Sequence, residues 1–226
     1  MALDPEHIDV VTFDSFSTLV DVESTARAVA DYVDEPVPFA REWHTRAAYY
    51  GIIGHHVGAY HTYTDFHRLA LEYLFEAREI SATAEELDDI AAIYHDMAPF
   101  EDVRPAMSSL RNAGYRVGIV SNGDPAMLNS LLDTVEIRDL VDATASAHDV
   151  RCYKPAVELY EYAADRFDVG TASMCHVANG YVDIMGAKHA GMQAAWCNRT
   201  ETPPEPFGPV PDAVVPGLAD LVERLT

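Results

Sequence analysis

Ile8-Asp9-Val10-Val11-Thr12-Phe13-Asp14 is a short, β-branched run that ends in a carboxylate, and its reading decides the fold. A run this short and this apolar predicts a buried strand. From Ser24 to about Met97 the pattern is different. STARAVADYVD, FAREWHTRAAYYGII, DFHRLALEYLFEAREI and TAEELDDIAAIYHDM all carry apolar residues at three- and four-residue spacing, which predicts helices. Thr83 followed by Glu86 reads as a capping box opening the last of them. After Pro99 helix and strand alternate. VRPAMSSLRNAG, PAMLNSLLDTV, PAVELYEYAADRF, VDIMGAKHAG and GLADLVERL read as helices. YRVGIVSN, MCHVAN, QAAWCN and DAVV read as strands, and DATASAHDV leads into one more short strand, which would put Lys154 after a strand. Strands separated by helices call for a parallel sheet covered on both faces. The expected fold is therefore α/β: a doubly wound parallel sheet over residues 1–20 and 98–226, with an α-helical cap inserted at 21–97.

Charge narrows the partners. The chain has 15 basic and 37 acidic residues, a net charge of −22, and only Lys154 and Lys188 are lysines. Such a surface repels phosphate backbones, so no nucleic-acid and no membrane partner is expected. Acidic excess with so little lysine suggests a halophile's cytoplasmic protein, since salt screens the self-repulsion. No apolar run approaches the roughly 18 residues of a membrane span, and MALDPEHIDV has no signal-peptide pattern. Three cysteines without CxxC spacing argue against a disulfide framework or a thiolate zinc site.

In an open α/β sheet the ligand lies beyond the carboxyl ends of the strands. That singles out Asp14, Ser121, Asn122, Lys154, Asn179 and Asp183. A carboxylate at a strand end can attack carbon or phosphorus and form an ester. It can equally be a capping Asp, and position alone does not choose between the two.

Four segments together resemble the 2-haloacid dehalogenase branch of the haloacid dehalogenase superfamily: FDSFSTLVD, VSNGDPAML, RCYKPAVELY and HVANGYVDIMGAKHAG, in order and at sensible spacing. The resemblance implies a Rossmann-like core and hydrolysis of small (S)-2-haloacids to 2-hydroxy acids, without a cofactor. It makes Asp14 the nucleophile. Thr18, Ser121 and Asn122 would hold its carboxylate or the substrate's and receive the halide. Lys154 would balance the negative charge, with Tyr160 placed near it. Asp183, with Asn179, would orient the hydrolytic water. Ser15, Phe16, Arg41, Trp43, His44 and Tyr160 fall on the substrate side, and a homodimer through the cap is possible.

Three departures from the family pattern matter. Ser17 stands where glycine is usual. His44 follows Trp43 where the pattern has arginine, so Arg41, Arg46 or protonated His44 would have to substitute. Ala178-Asn179-Gly180 replaces a serine- and asparagine-containing segment. Phe16 separates two chemistries, because the superfamily's phosphatases resemble one another in carrying an Asp there as general acid. A phenyl ring donates no proton, and departing halide needs none. The alternatives are a magnesium-dependent phosphatase, with Asp14, a carbonyl near Phe16 and Asp183 on the ion, and a catalytically degenerate member.

Overall fold

The computed structural model describes residues 2–226. The opening run forms β1 (Val10–Phe13), whose four residues are all buried. Its neighbours are β4 (Arg116–Ser121) and β6 (Met174–Ala178), both parallel to it, with Phe13 opposite Ile119 and Val177. Among the described residues the main sheet has six strands. Beyond β4 lies β5 (Ala143–Ser146). Beyond β6 lie β7 (Gln193–Cys197) and β8 (Ala213–Val215), giving the order β5-β4-β1-β6-β7-β8, parallel throughout. With both faces covered, the central strands are buried along their whole length rather than on alternate residues, as β1 is. The order reverses around β1, so the carboxyl ends of β1, β4 and β6 open onto one crevice.

The segment between the first strand and the remainder begins and ends as a two-stranded antiparallel stem, β2 (Val20–Asp21) with β3 (Ala98–Pro99). Within it lie α1 (Pro36–Val57), α2 (Tyr63–Ala77) and α3 (Ala84–Ala91). Thr83 and Glu86 form the expected capping box, and Thr62 with Asp65 forms a second one at the start of α2. The first expected helix of this segment is instead a 3-10 turn, Val22–Ala28. Asp21 caps it, and the Ser24 hydroxyl turns back onto the Asp21 carbonyl. That local bonding competes with a regular helix. The sheet is flanked by α4 (Val103–Asn112), α5 (Pro125–Thr134), the short α6 (Ala147–Val150), α7 (Val157–Phe167), α8 (Tyr181–His189) and α9 (Leu218–Leu225).

Two details aim the crevice. Ser17 adopts φ +63°, so the turn after β1 keeps the left-handed geometry that glycine would give, at a steric cost of roughly 1–2 kcal/mol. At Gly186 of α8 any Cβ would lie 2.6 Å from the Tyr160 hydroxyl, so only glycine lets α7 and α8 close far enough to bring Tyr160 to α8.

Candidate active site

Three charged side chains meet at the carboxyl edge of the sheet. Asp14 follows β1, Asp183 lies in the first turn of α8, and Lys154 stands in the loop between α6 and α7 rather than directly after a strand. The Lys154 Nζ donates to Asp14 Oδ1 at 2.8 Å and to Asp183 Oδ2 at 2.5 Å. Its backbone N–H donates to Asn122 Oδ1 at 2.9 Å, which fixes the loop to the end of β4. Thr18 Oγ1 donates to Asp14 Oδ2 at 2.9 Å and itself accepts from the Asn179 N–H. The Tyr160 hydroxyl donates to Asp183 Oδ1. The site is nearly dry: side-chain exposures are 5% for Lys154, 8% for Asp183 and 15% for Asp14.

Burial acts on both carboxylates, and their charged neighbours separate them. Desolvation pushes the Asp14 carboxyl up from its ordinary value, against the lowering pull of Lys154. Asp183 is desolvated too, but Lys154 and His176 outweigh burial and hold it well below the carboxylate range. Burial opposes the charge on Lys154, and the two carboxylates more than offset this, so the ammonium persists. A nucleophilic carboxylate works only when ionised. Activity is therefore expected to fall as pH drops through a value above the roughly 3.9 of a free aspartate. A kcat/KM–pH profile measures that limb.

The cleft over Asp14 encloses about 320 Å³ and is walled by Phe16, Ala48, Ile52, Tyr63, Tyr181 and Val182. Phe16 is clamped at ring-centroid distances of 5.6 to 6.2 Å by His44, Tyr63, His67 and Tyr94. Asn122 also faces the cleft. Because its Oδ1 is taken by Lys154, its amide nitrogen is left to donate.

Several expected contacts are not made. Ser15 and Ser121 bond each other at 2.6 Å and are fully buried, so Ser121 braces the two strand ends instead of touching the carboxylate. Trp43 is buried with its Nε1 on the His67 carbonyl, and it packs the helical layer. Tyr160 meets Asp183 and not the cleft. Asn179 lines the cleft, with its carbonyl on Trp196 and its side-chain oxygen facing the Arg199 N–H at 3.4 Å rather than Asp183. Arg41 is 60% exposed and paired with Glu23, on an adjoining cavity of about 460 Å³. Arg46 lies over the Tyr73 ring. His44 does reach the cleft, but desolvation lowers its pKa to about 4, so near neutral pH it is an uncharged imidazole and not a substitute cation. His67 is buried beneath Phe16.

Two participants escaped the sequence reading. Tyr63 forms part of the cleft wall. His176 lies inside β6, fully buried, with its Nε2 3.1 Å from Asp183 Oδ2. A histidine amid the apolar residues of MCHVA was the available signal.

A parallel sheet that buries an ammonium between two carboxylates at its carboxyl edge, under a helical layer, defines an α/β enzyme of the crevice-binding class. The chain belongs to the haloacid dehalogenase-like hydrolases, whose family model matches residues 8–191. It is 30% identical to (S)-2-haloacid dehalogenase 4A of Burkholderia cepacia over 85% of this chain and 84% of that protein. To (S)-2-haloacid dehalogenase 2 of Pseudomonas sp. (strain CBS-3) it is 28% identical, covering 97% and 96%. Its structure superposes with a TM-score of 0.89 on L-2-haloacid dehalogenase from Xanthobacter autotrophicus with chloropropionic acid covalently bound. That match has 27% identity and covers 96% of this chain and 97% of the other.

Proposed function

We propose that the protein hydrolyses the carbon–halogen bond of small (S)-2-haloacids, giving 2-hydroxy acids through an ester on Asp14. The observation that carries this reading is the Lys154 ammonium set between Asp14 and Asp183 beneath an apolar wall. Asp14, held by Lys154 and Thr18, attacks carbon 2 from the side opposite the halogen. The carbon–halogen bond breaks and halide leaves with the electron pair. Water oriented by Asp183 then attacks the Asp14 carbonyl carbon, Lys154 stabilises the oxyanion, and the bond from that carbon to the product oxygen breaks. One water proton ends on the hydroxyl of the product and one is released, so the balance is R–X + H₂O to R–OH, H⁺ and X⁻. Inversion at carbon 2 follows from the first step. Phe16 and Tyr63 keep bulk water away from the reacting carbon, while Asn122 and neutral His44 offer donors to the anion.

A magnesium-dependent phosphatase would need Asp14 and Asp183 on a metal. The Lys154 ammonium already occupies the position between them, 2.8 Å from Asp14 and 2.5 Å from Asp183. The residues present do not fit magnesium, and Phe16 supplies no general acid. A panel of 2-haloacids and phosphate monoesters, with and without magnesium, tests the reading. Halide release indifferent to magnesium is expected, and magnesium-dependent phosphate release alone would overturn it.

The division into a core of residues 1–20 and 98–226 and a cap of 21–97 fits the antiparallel stem at Val20–Asp21 and Ala98–Pro99. A homodimer through that layer fits Tyr49, Ile53 and Val57, exposed by 55%, 41% and 69% at four-residue spacing on α1. The acidic surface suits a saline cytoplasm. Arg27, Arg41, Arg68, Arg104, Arg111 and Arg138 are already paired with carboxylates, so most of the acidic excess has no counter-charge. Raising salt from about 0.1 M to 1 M shortens the screening length from about 10 Å to 3 Å. The melting temperature and activity are expected to rise over that range, and a flat or falling melting curve would contradict the halophilic assignment.

A further inference from the structure

Asp183 carries more donors than charge balance requires. Lys154 and Tyr160 already serve its two oxygens, yet a third group, His176, is built into the middle of a strand to face it. A fully buried histidine in a central strand is costly unless its nitrogens are satisfied. One nitrogen is: Nδ1 lies 2.9 Å from Thr12 Oγ1, on the adjacent strand β1 at the directly paired position. That contact selects the tautomer. If Nδ1 carried the proton, the Thr12 hydroxyl would have only the Cys175 carbonyl at 3.5 Å to receive its own, and the bare Nε2 lone pair would face a carboxylate. With Thr12 donating to Nδ1, the proton sits on Nε2 and points towards Asp183 Oδ2.

The Nε2 contact is close but bent. At 3.1 Å it is within ion-pair reach, yet Nε2 has no well-aligned hydrogen-bond acceptor. Catalytic hydrogen bonds are often misaligned before substrate binds and tighten during reaction. Of the charged groups near the imidazole, the Asp183 carboxylate is the one that faces Nε2. The Tyr160 ring packs edge-on at 5.5 Å, and the charged neighbours Asp14 and Lys154 engage each other.

We infer that His176, oriented by Thr12, is a positioning residue for Asp183 in hydrolysis of the ester; this rests on the proposed two-step reaction. Once Asp14 is esterified it carries no charge, and the Lys154 ammonium has Asp183 as its sole anionic partner. Without His176, the Tyr160 hydroxyl on Oδ1 would be left alone to hold Asp183 against the pull of Lys154 on Oδ2. His176 holds Oδ2 from strand β6, so the carboxylate keeps the orientation in which it directs water. Its contribution falls on the second step, after halide has left.

The test compares wild type with His176→Phe, His176→Gln and Thr12→Val, following halide release and intact-protein mass on the millisecond-to-second scale with (S)-2-chloropropionate. Wild type should form the ester, and its absence there would defeat the two-step reading itself. In His176→Phe the first halide should appear at near wild-type rate, as a burst of one per site. Steady-state kcat should then fall by about 10²-fold, the scale of a misplaced group, with the ester mass accumulating. Gln places its amide nitrogen where Nε2 was and should restore much of the loss. Thr12→Val should show a smaller burst phenotype of the same kind. If His176→Phe and Thr12→Val turn over without a burst, or slow the first halide instead, the inference is overturned. If His176→Phe does not fold, the Gln and Val variants decide it on the same readout.

Discussion

Asp14→Asn is expected to leave a folded protein whose halide release is lowered by at least about 10⁴-fold, the scale seen when a catalytic nucleophile is removed. An amide oxygen is a poor nucleophile and carries no charge to drive halide out. The fold should survive because Lys154 keeps Asp183 as a partner at 2.5 Å and Thr18 can still donate to the Asn oxygen. Ion chromatography of released halide measures the loss, and a thermal melt within a few degrees of wild type excludes unfolding as its cause.

Lys154→Met should be nearly as damaging, and by a different route. Removing the ammonium leaves two buried carboxylates facing one another, with Thr18 still donating to Asp14 and with Tyr160 and His176 beside Asp183. Two such groups cannot both stay ionised, so one takes a proton and the acid limb of the pH profile moves upward. The oxyanion formed on Asp14 during ester hydrolysis also loses its counter-charge. Loss of one preorganised donor of this kind is worth about 10²–10³-fold, and partial protonation of the nucleophile adds to it. Turnover is expected to fall by at least about 10³-fold at neutral pH. Lys154→Arg should not rescue it: a planar guanidinium cannot replace a point charge held between two oxygens 2.8 and 2.5 Å away.

What could be read from the chain, and what could not, divides along physical lines. The strand Val10–Phe13 was legible because burial on both faces favours a short, continuous run of β-branched and apolar residues. The capping box at Thr83 and Glu86 was legible because both halves lie within one turn. Asp14, Lys154 and Asp183 were legible as candidates because the crevice rule and the four motifs single out the same positions. The contacts made by Ser15, Ser121, Arg41 and Trp43 were not, because their partners lie far away in sequence. Ser15 turns to Ser121 across two strands, and the Trp43 ring is claimed by the His67 carbonyl of a neighbouring helix. The charge of His44 depends on how tightly the helical layer desolvates it, which no local pattern encodes. His176 was visible as a polar residue in an apolar strand, but its direction, towards Asp183 with Thr12 behind it, exists only in the register of β1 with β6.

The central claim is that the oxygen added to the product comes from Asp14 and that water replaces it there. A single turnover in heavy-oxygen water, with enzyme in excess over (S)-2-chloropropionate, tests this most directly. Mass analysis of the peptide spanning Asp14 should show one heavy oxygen in its carboxylate, while the first product carries ordinary oxygen. Heavy oxygen in the first product, with none in the peptide, would mean that water attacks the carbon directly and would contradict the ester on Asp14.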